Sequence, residues 1–369
     1  MDTEVVVLGA GYAGMSAAKR LSRAGGRLRV TVVNPRRDFV ERIRLHQFVA
    51  GNHPASRPLR ELLPASARLV VDAAVSIDAR NRVVHTADGI ALGYDYLVFA
   101  IGSHGRLDLI PGAAEHAVAL DTWEAAHAAR QRLHGLSADG TVTVIGGGLT
   151  GIETAAELAE QHRYLVRLIT GGEIGATLPD RARARLRSYF AAAGVVLCEH
   201  ATVAEIREGK IVLADGRILD SELTFAATAF TVPGLARTSG LDVDSIGALR
   251  VTDSLVSVGD PTIIGAGDAV VLDTPLRRST QAAVPTGVHA AETVLRLLDG
   301  RQPKPVRRKF VGQAVSLGRR NALVQPTDLA DRPLARITLN GRLAALAKEQ
   351  VCRATLHGGQ WGPIGYSWS

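Results

Sequence analysis

The chain of 369 residues has little cysteine, few aromatic residues and no long apolar run. Its two cysteines, Cys198 and Cys352, are too few and too far apart for a disulfide framework or a Cys-rich metal site. They also exclude a C-x-x-C redox pair. Cys198 lies in the apolar stretch GVVLC, which predicts a buried strand thiol rather than a reactive one. Aromatic residues make up 4% of the chain and its arginines are scattered, so the basic, stacking stripe of a nucleic-acid binder is missing. No nucleic-acid partner is therefore expected, although the formal charge is +7 from 43 basic and 36 acidic residues. That excess suits anionic cofactors or an anionic membrane surface. No run reaches the roughly 18–20 apolar residues of a membrane helix. The first strand begins at Glu4, which leaves no room for a leader, and a cytoplasmic location is expected. No cluster of His, Cys, Asp or Glu has metal-ligand spacing, and no G-x-S-x-G nucleophile motif occurs.

Apolar residues make up 46% and charged residues 21%, the balance of a globular chain long enough for two or three domains. The opening stretch EVVVLGAGYAGMSAAKRL (4–21) predicts a strand at 4–8, a glycine turn and a helix at 12–24. The strand LRVTVVN (28–34) follows, which completes a βαβ unit. Residues 141–171 repeat the unit, with strand TVTVIG, a glycine turn, helix ETAAELAEQH and strand LVRLIT. Gly9, Gly11 and Gly14 in the first copy, and Gly146, Gly148 and Gly151 in the second, keep the G-x-G-x-x-G spacing. The first glycine permits a sharp turn, the second lets a pyrophosphate approach the backbone, and the third lets helix and strand pack closely. The amides and dipole at the helix start then favour phosphate. YDYLVFAIG (94–102) and LTFAATAFTVPGL (223–235) occupy matching positions, each closing its half. A helix is predicted from about Gln281 to Leu298, and Pro303 and Pro305 mark a boundary before a mixed C-terminal stretch.

The two fingerprints, YDYLVFAIG and TIIGAGDAV (262–270) stand in the order of the pyridine-nucleotide-dependent flavin oxidoreductases, and residues 1–320 resemble that family. FVERIRLHQFVAG (39–51), RSTQAAVPTGVHAAE (278–292) and FVGQAVSLGRRNALVQ (310–325) look most like its type II NADH dehydrogenase and apoptosis-inducing-factor-like branch. The resemblance implies an α/β fold of two Rossmann-like, three-layer ββα domains and a small α+β C-terminal domain. The FAD domain would comprise residues 1–112 and 238–302, the inserted NAD(P) domain 113–237, and the C-terminal domain 303–369. It further implies FAD on Gly9, Gly11, Ala13, Gly14, Asn34, Ala100, Gly102, Gly267 and Asp268. NAD(P)H would sit on Gly146, Gly148 and Gly151. Catalytic contributions would come from Glu153, near the nicotinamide, and Gln281, at a helix start facing the flavin pyrimidine. The implied activity passes hydride from NAD(P)H to FAD and electrons to a quinone or another diffusible acceptor. The flavin would carry the redox chemistry while the protein positions it. Lacking a cysteine pair, the chain has no disulfide of its own to reduce.

The chain departs from the family pattern at several places. The acid that ends the second strand of each unit and bonds a ribose is Asn34 in one and Thr170 in the other. Neither NADH nor NADPH is thereby selected. The second glutamine of the dehydrogenase branch is replaced by Pro285, which keeps open a flavin-dependent tailoring enzyme acting on a dedicated small molecule. A flavin-sensing interaction protein is a third reading. Glu153 and Gln281 also fit ordinary helix-start positions. Arg42, Arg44 and His46 suit either a cavity wall or, as charges at this spacing usually do, a solvated helix face. In GRLAALAKEQVCRATL, Leu343, Leu346, Ala347, Val351 and Ala354 share one face, which is expected to pack as core, with contact to a membrane as the other reading. The last residues, with Trp361, Tyr366 and Trp368, read as loop. A homodimer is compatible with all of this.

Overall fold

The computed structural model describes residues 2–25, 28–356 and 368. Short runs rich in valine, isoleucine and leucine form strands buried on both faces, as parallel sheets require. In the first sheet, strand Thr3–Leu8 lies between Leu28–Asn34 and Tyr96–Phe99. Arg68–Val71 and Ile263–Gly265 form its edges, and all five strands run parallel. The second sheet has the same plan. Thr141–Ile145 lies between Leu165–Ile169 and Leu223–Ala226, with Val196–Cys198 and Ala117–Val118 at the edges. In each sheet the glycine strand thus has its own closing strand as a neighbour, which matches the sequence reading. The edge strand beside that closing strand differs in origin. It comes late in the chain for the first sheet, at 263–265, and early for the second, at 117–118.

Each sheet carries a helix on one side and a three-stranded antiparallel sheet packed into its core. In the first unit, Ile77, Val84 and Leu92 of the small sheet join Val5, Val7 and Val98. In the second, Ile206, Ile211 and Leu213 join Ile145 and Ile169. The α/β, Rossmann-like fold class is the one expected. The C-terminal part forms strands Gly312–Leu317, Asn321–Pro326 and Leu339–Asn340, followed by helix Arg342–Leu356. Val315, Leu317 and Leu323 of this sheet share a core with Ile152, Ala155 and Ala156 of the second fingerprint helix.

That last helix corrects the sequence reading. Leu343, Leu346 and Val351 are 81%, 61% and 56% exposed, while Ala344, Cys352 and Leu356 are buried. The sheet packs against the face that carries the small residues, and the leucine stripe faces outward. Trp368 is buried with its ring edge-on to Phe310. Trp361 and Tyr366 lie outside the described residues.

Candidate functional site

Three glycines build the first cradle, each for its own reason. Gly9 has φ +89° and bonds Val33 O through its amide at 2.8 Å. A Cβ there would meet Ala100 O at 2.5 Å. A Cβ on Gly14 would lie 1.8 Å from Gly9 O, so only glycine allows this helix to sit on its strand. Gly11 has no atom within 4 Å of its Cβ position, and helix Tyr12–Arg23 starts immediately after it. A cavity of about 370 Å3 opens there, lined by Gly9, Gly11, Asn34, Ala100, Gly102 and Ser103 among others. Asn34 holds the turn, since its Oδ1 accepts from Ala10 N at 2.9 Å and its Nδ2 donates to Arg36 O at 2.8 Å. Ala13 faces the other way, into the contact with helix Thr280–Leu298. A Cβ on Gly287 would lie 2.1 Å from Ala13 O.

The second cradle repeats the first at its three glycines. Gly146 has φ +123°, and its Cβ position is 2.2 Å from Ala227 O. That of Gly151 is 1.9 Å from Gly146 O, and that of Gly148 is open. The cavity beside it, about 640 Å3, is lined by Gly146, Gly147, Gly148, Thr170, Arg277 and Arg278 among others. Thr170 packs on the turn, with its Oγ1 only 2.6 Å from where a Gly147 Cβ would stand. The carboxylates nearest in sequence are already taken. Glu173 pairs with Arg183 and Arg187, and Glu199 pairs with Arg187.

One wall residue of each cavity bonds Asp268. Its Oδ2 accepts from Ser103 Oγ, on the wall of the first cavity, at 2.9 Å. Its backbone carbonyl accepts from Arg278 Nε, on the wall of the second, at 3.3 Å. Gly267, with φ +71°, donates to Thr286 Oγ1. Helix Thr280–Leu298 then begins with Ser279 as its N-cap, bonded to Ala282 N. Gln281 Oε1 accepts from Arg277 Nη2 at 3.3 Å, and Arg277 also holds Asp331 of the C-terminal part.

Glu153 sits on the second fingerprint helix with its carboxylate directed into a buried cluster. Oε1 accepts from Ser316 N and from Lys348 Nζ, both at 3.0 Å, and His46 Nδ1 lies 4.0 Å from Oε2. Burial pushes the Glu153 carboxyl up, but Lys348, His46 and the Ser316 amide together hold it below the usual range. Burial lowers the Lys348 ammonium, yet Glu153 brings it above its ordinary value. Burial takes His46 down to about 4, against the opposing pull of Glu153, so this imidazole is neutral near pH 7. Its Nε2 is buried without a hydrogen-bond partner.

Arg42, Arg44 and His46 do not form a solvated face. Arg42 lines the first cavity, and Arg44 and His46 are buried. The segment is a 3-10 turn, Arg42–Arg44, run into a short helix, Leu45–Val49, wedged between the two units and the last helix. Arg44 satisfies its guanidinium on Glu41 at 3.0 Å and on both oxygens of Glu349 at 2.9 Å. Lys348, Glu349 and Ser103 were missed in the sequence. Their partners lie up to 305 positions away, and no local spacing announces them.

A third cavity, of about 530 Å3, lies between the hairpin turn at 318–321, helix Arg342–Leu356 and Gln47. Among the described residues no group of three or more His, Cys, Asp or Glu could hold a metal. Among them, too, no helix is long and apolar enough to cross a membrane.

Against known proteins, the family model described as pyridine nucleotide-disulphide oxidoreductase matches residues 3–291. The chain is 33% identical over 291 residues to an NADH dehydrogenase-like protein of Mycobacterium tuberculosis, covering 72% of each. It is 25% identical over 373 residues to the demethylphylloquinone reductase NdbB of Synechocystis, covering 94% of this chain and 90% of that one. In fold it is similar to the sulfide:quinone oxidoreductase of Aquifex aeolicus, with a TM-score of 0.82 at 19% identity over 96% of this chain and 92% of that one.

Proposed function

Because the chain belongs to the pyridine nucleotide-disulphide oxidoreductase family, and is an oxidoreductase with FAD and NAD(P)H as its cofactors, we propose a role for each cradle. The first cradle holds FAD, the second holds NAD(P)H, and electrons leave to a quinone or another small diffusible acceptor. The observation that carries this reading is the junction at Asp268, where the walls of both cavities are bonded to one residue. Two ligands held on one rigid joint meet in a fixed orientation, which removes the entropic part of the barrier to hydride transfer. The flavin supplies the redox chemistry when bound.

The chain's own residues fit both groups. A Cβ on Gly11 or Gly148 would project into open space, so the bare backbone is free for a pyrophosphate. Ser103 lines the first cavity with Asp268 bonded behind it, while Gly102, also with positive φ, keeps the wall close to Arg42. Gln281 stands on the first turn of a 19-residue helix, whose positive end favours negative charge on the ligand ahead of it. Glu153, on the helix that opens at the second cradle, is assigned a place near the nicotinamide, with Oε1 fixed by Ser316 and Lys348 and Oε2 towards His46. The FAD part is assigned to residues 1–112 and 238–302, the NAD(P) part to 113–237 and the C-terminal part to 303–369. The exposed leucines of helix Arg342–Leu356 suit contact with a membrane surface, where a lipid-soluble quinone would be found.

The test is an acceptor screen with NAD(P)H-reduced protein under anaerobic conditions, following reappearance of the oxidised flavin band. The reading expects fast reoxidation by quinones and none by protein disulfides. Reoxidation by neither, with turnover of one dedicated small molecule, would favour the tailoring-enzyme reading.

A further inference from the structure

Helix Trp123–Gly135 follows edge strand Ala117–Val118 of the second sheet, and its Ala126, Ala129 and Leu133 lie in the core of that unit. Its start does not stay there. Asp121, Thr122 and Trp123 line the first cavity, together with Gly9, Gly11 and Asn34. Both flanks of this short stretch are tied to the first unit. Asp121 Oδ2 accepts from the amide of Gly105, in the segment beyond closing strand Tyr96–Phe99. Glu124 takes a bidentate bond from Arg36, just past strand Leu28–Asn34, with Nε donating to Oε1 at 2.7 Å and Nη2 to Oε2 at 2.5 Å. Thr122 caps the helix, its side chain accepting from Ala125 N at 3.2 Å. Trp123, between the two ties, has its ring centroid 4.6 Å from that of Phe48 and 4.4 Å from that of His127. The indole is thus half-buried, backed by two rings, and on the cavity wall.

The adenosine end of this cavity lacks the usual side-chain partner. A dinucleotide ribose belongs at the end of the second strand of the unit. Asn34 stands there, and both ends of its amide are engaged in the turn, on Ala10 N and Arg36 O. Arg36 is bonded to Asn34 through its carbonyl and to Glu124 through its guanidinium, which brings the Trp123 end of the stretch to the adenosine half. Resting on the assignment of FAD to this cradle, we propose that Asp121–Glu124 is a strap laid by the second unit across the first cavity, in which Trp123 touches the adenosine half of FAD and the Arg36–Glu124 pair holds the strap down. An indole presents a flat apolar face, and stacking of a base on such a face changes binding by roughly tenfold or more. FAD leaves when the strap lifts, so retention of the flavin depends on a helix of the other unit.

The test is the rate at which flavin-loaded protein releases FAD, followed by the fluorescence of the freed flavin after dilution. Trp123→Ala is expected to release FAD roughly tenfold faster or more, and Trp123→Phe, which keeps a ring, to stay within about threefold of wild type. The tie is exposed on both sides, 35% at Arg36 and 64% at Glu124, so Glu124→Gln should speed release only about two- to fivefold. Salt at about 0.5 M should speed release from wild type by a similar factor and leave Glu124→Gln unmoved. FMN has no adenosine half, so protein reloaded with FMN should release it at the same rate in wild type and Trp123→Ala. Release of FAD from Trp123→Ala within about twofold of wild type overturns the contact. Equal acceleration of FMN and FAD overturns it too, since the substitution has then only loosened the fold. A salt response that is the same with and without Glu124 overturns the role of the tie. Wild-type protein that holds no FAD overturns the cradle reading itself and takes this inference with it.

Discussion

Replacing Gly151 by alanine sets helix propensity against packing, and the two predict opposite signs. Gly151 lies inside helix Leu149–Ala159, where alanine is favoured over glycine by about 1 kcal/mol. The alanine Cβ, however, would lie 1.9 Å from Gly146 O. Backbone carbonyl and helix must separate by roughly 1 Å or more to restore contact, in an interior that is close-packed. Overpacking of this kind costs about 1–3 kcal/mol and sometimes more. Packing wins, and a net loss of up to about 2 kcal/mol is expected, seen as a melting temperature lower by roughly 2–3 °C. Gly148→Ala is the control. Its Cβ meets nothing within 4 Å, so stability should change by less than about 1 kcal/mol, the scale of an N-cap preference. Its methyl nonetheless stands between the helix amides and a pyrophosphate. Loss of one charge-assisted hydrogen bond of about 1.5–3 kcal/mol weakens nucleotide binding roughly 10- to 100-fold. Thermal melting of the flavin-loaded variants and titration with NADH and NADPH read both effects. A Gly151→Ala protein that melts at or above wild type, or a Gly148→Ala protein that binds nucleotide normally, would refute the assignment of these glycines.

Other expectations come from the buried charges. His46 titrates near 4 in the folded chain and near 6.5 when unfolded, so unfolding takes up a proton between those values. Stability should therefore fall by up to about 3 kcal/mol as pH drops from 6.5 to 4, and His46→Gln should flatten that slope in pH-dependent denaturant melts. Arg44→Met leaves buried Glu41 without its ion-pair partner and Glu349 with Arg353 alone, and should cost about 3–5 kcal/mol by urea unfolding. A loss under 1 kcal/mol would show that the cluster is solvated in solution. Thr170→Asp places a carboxylate at the end of the strand, facing the second cavity, and should raise the NADH over NADPH preference in kcat/KM about tenfold or more. An unchanged ratio would place the ribose elsewhere.

Both cradles were legible because their signal is local. Three glycines at fixed spacing behind a valine-rich strand define a turn that no other residue fits, and the distances at Gly14 and Gly151 show why. Closing strands such as Tyr96–Phe99 were legible from their continuous apolar character. Partners across the chain were not. Glu153 reads as a residue near the nicotinamide or as a first-turn acid, and nothing local announces that helix Arg342–Leu356 brings Lys348 to it. Arg44 reads as surface charge until Glu349 is seen against it. The same helix shows the limit of periodicity. Its apolar stripe was visible in the sequence, but periodicity says only that a face is apolar and not what that face meets. Here Ala344, Cys352 and Leu356 turned inward, and Leu343 and Leu346 turned out.

The most direct test of the two-cradle account is the visible spectrum of the purified protein under anaerobic conditions, before and after stoichiometric NADH and then NADPH. The account predicts a flavin spectrum with FAD retained on the Gly9 cradle, bleached rapidly by at least one nucleotide, with bleaching slowed in Gly148→Ala. A flavin spectrum that persists with both nucleotides, or a colourless protein that FAD does not reconstitute, would contradict it.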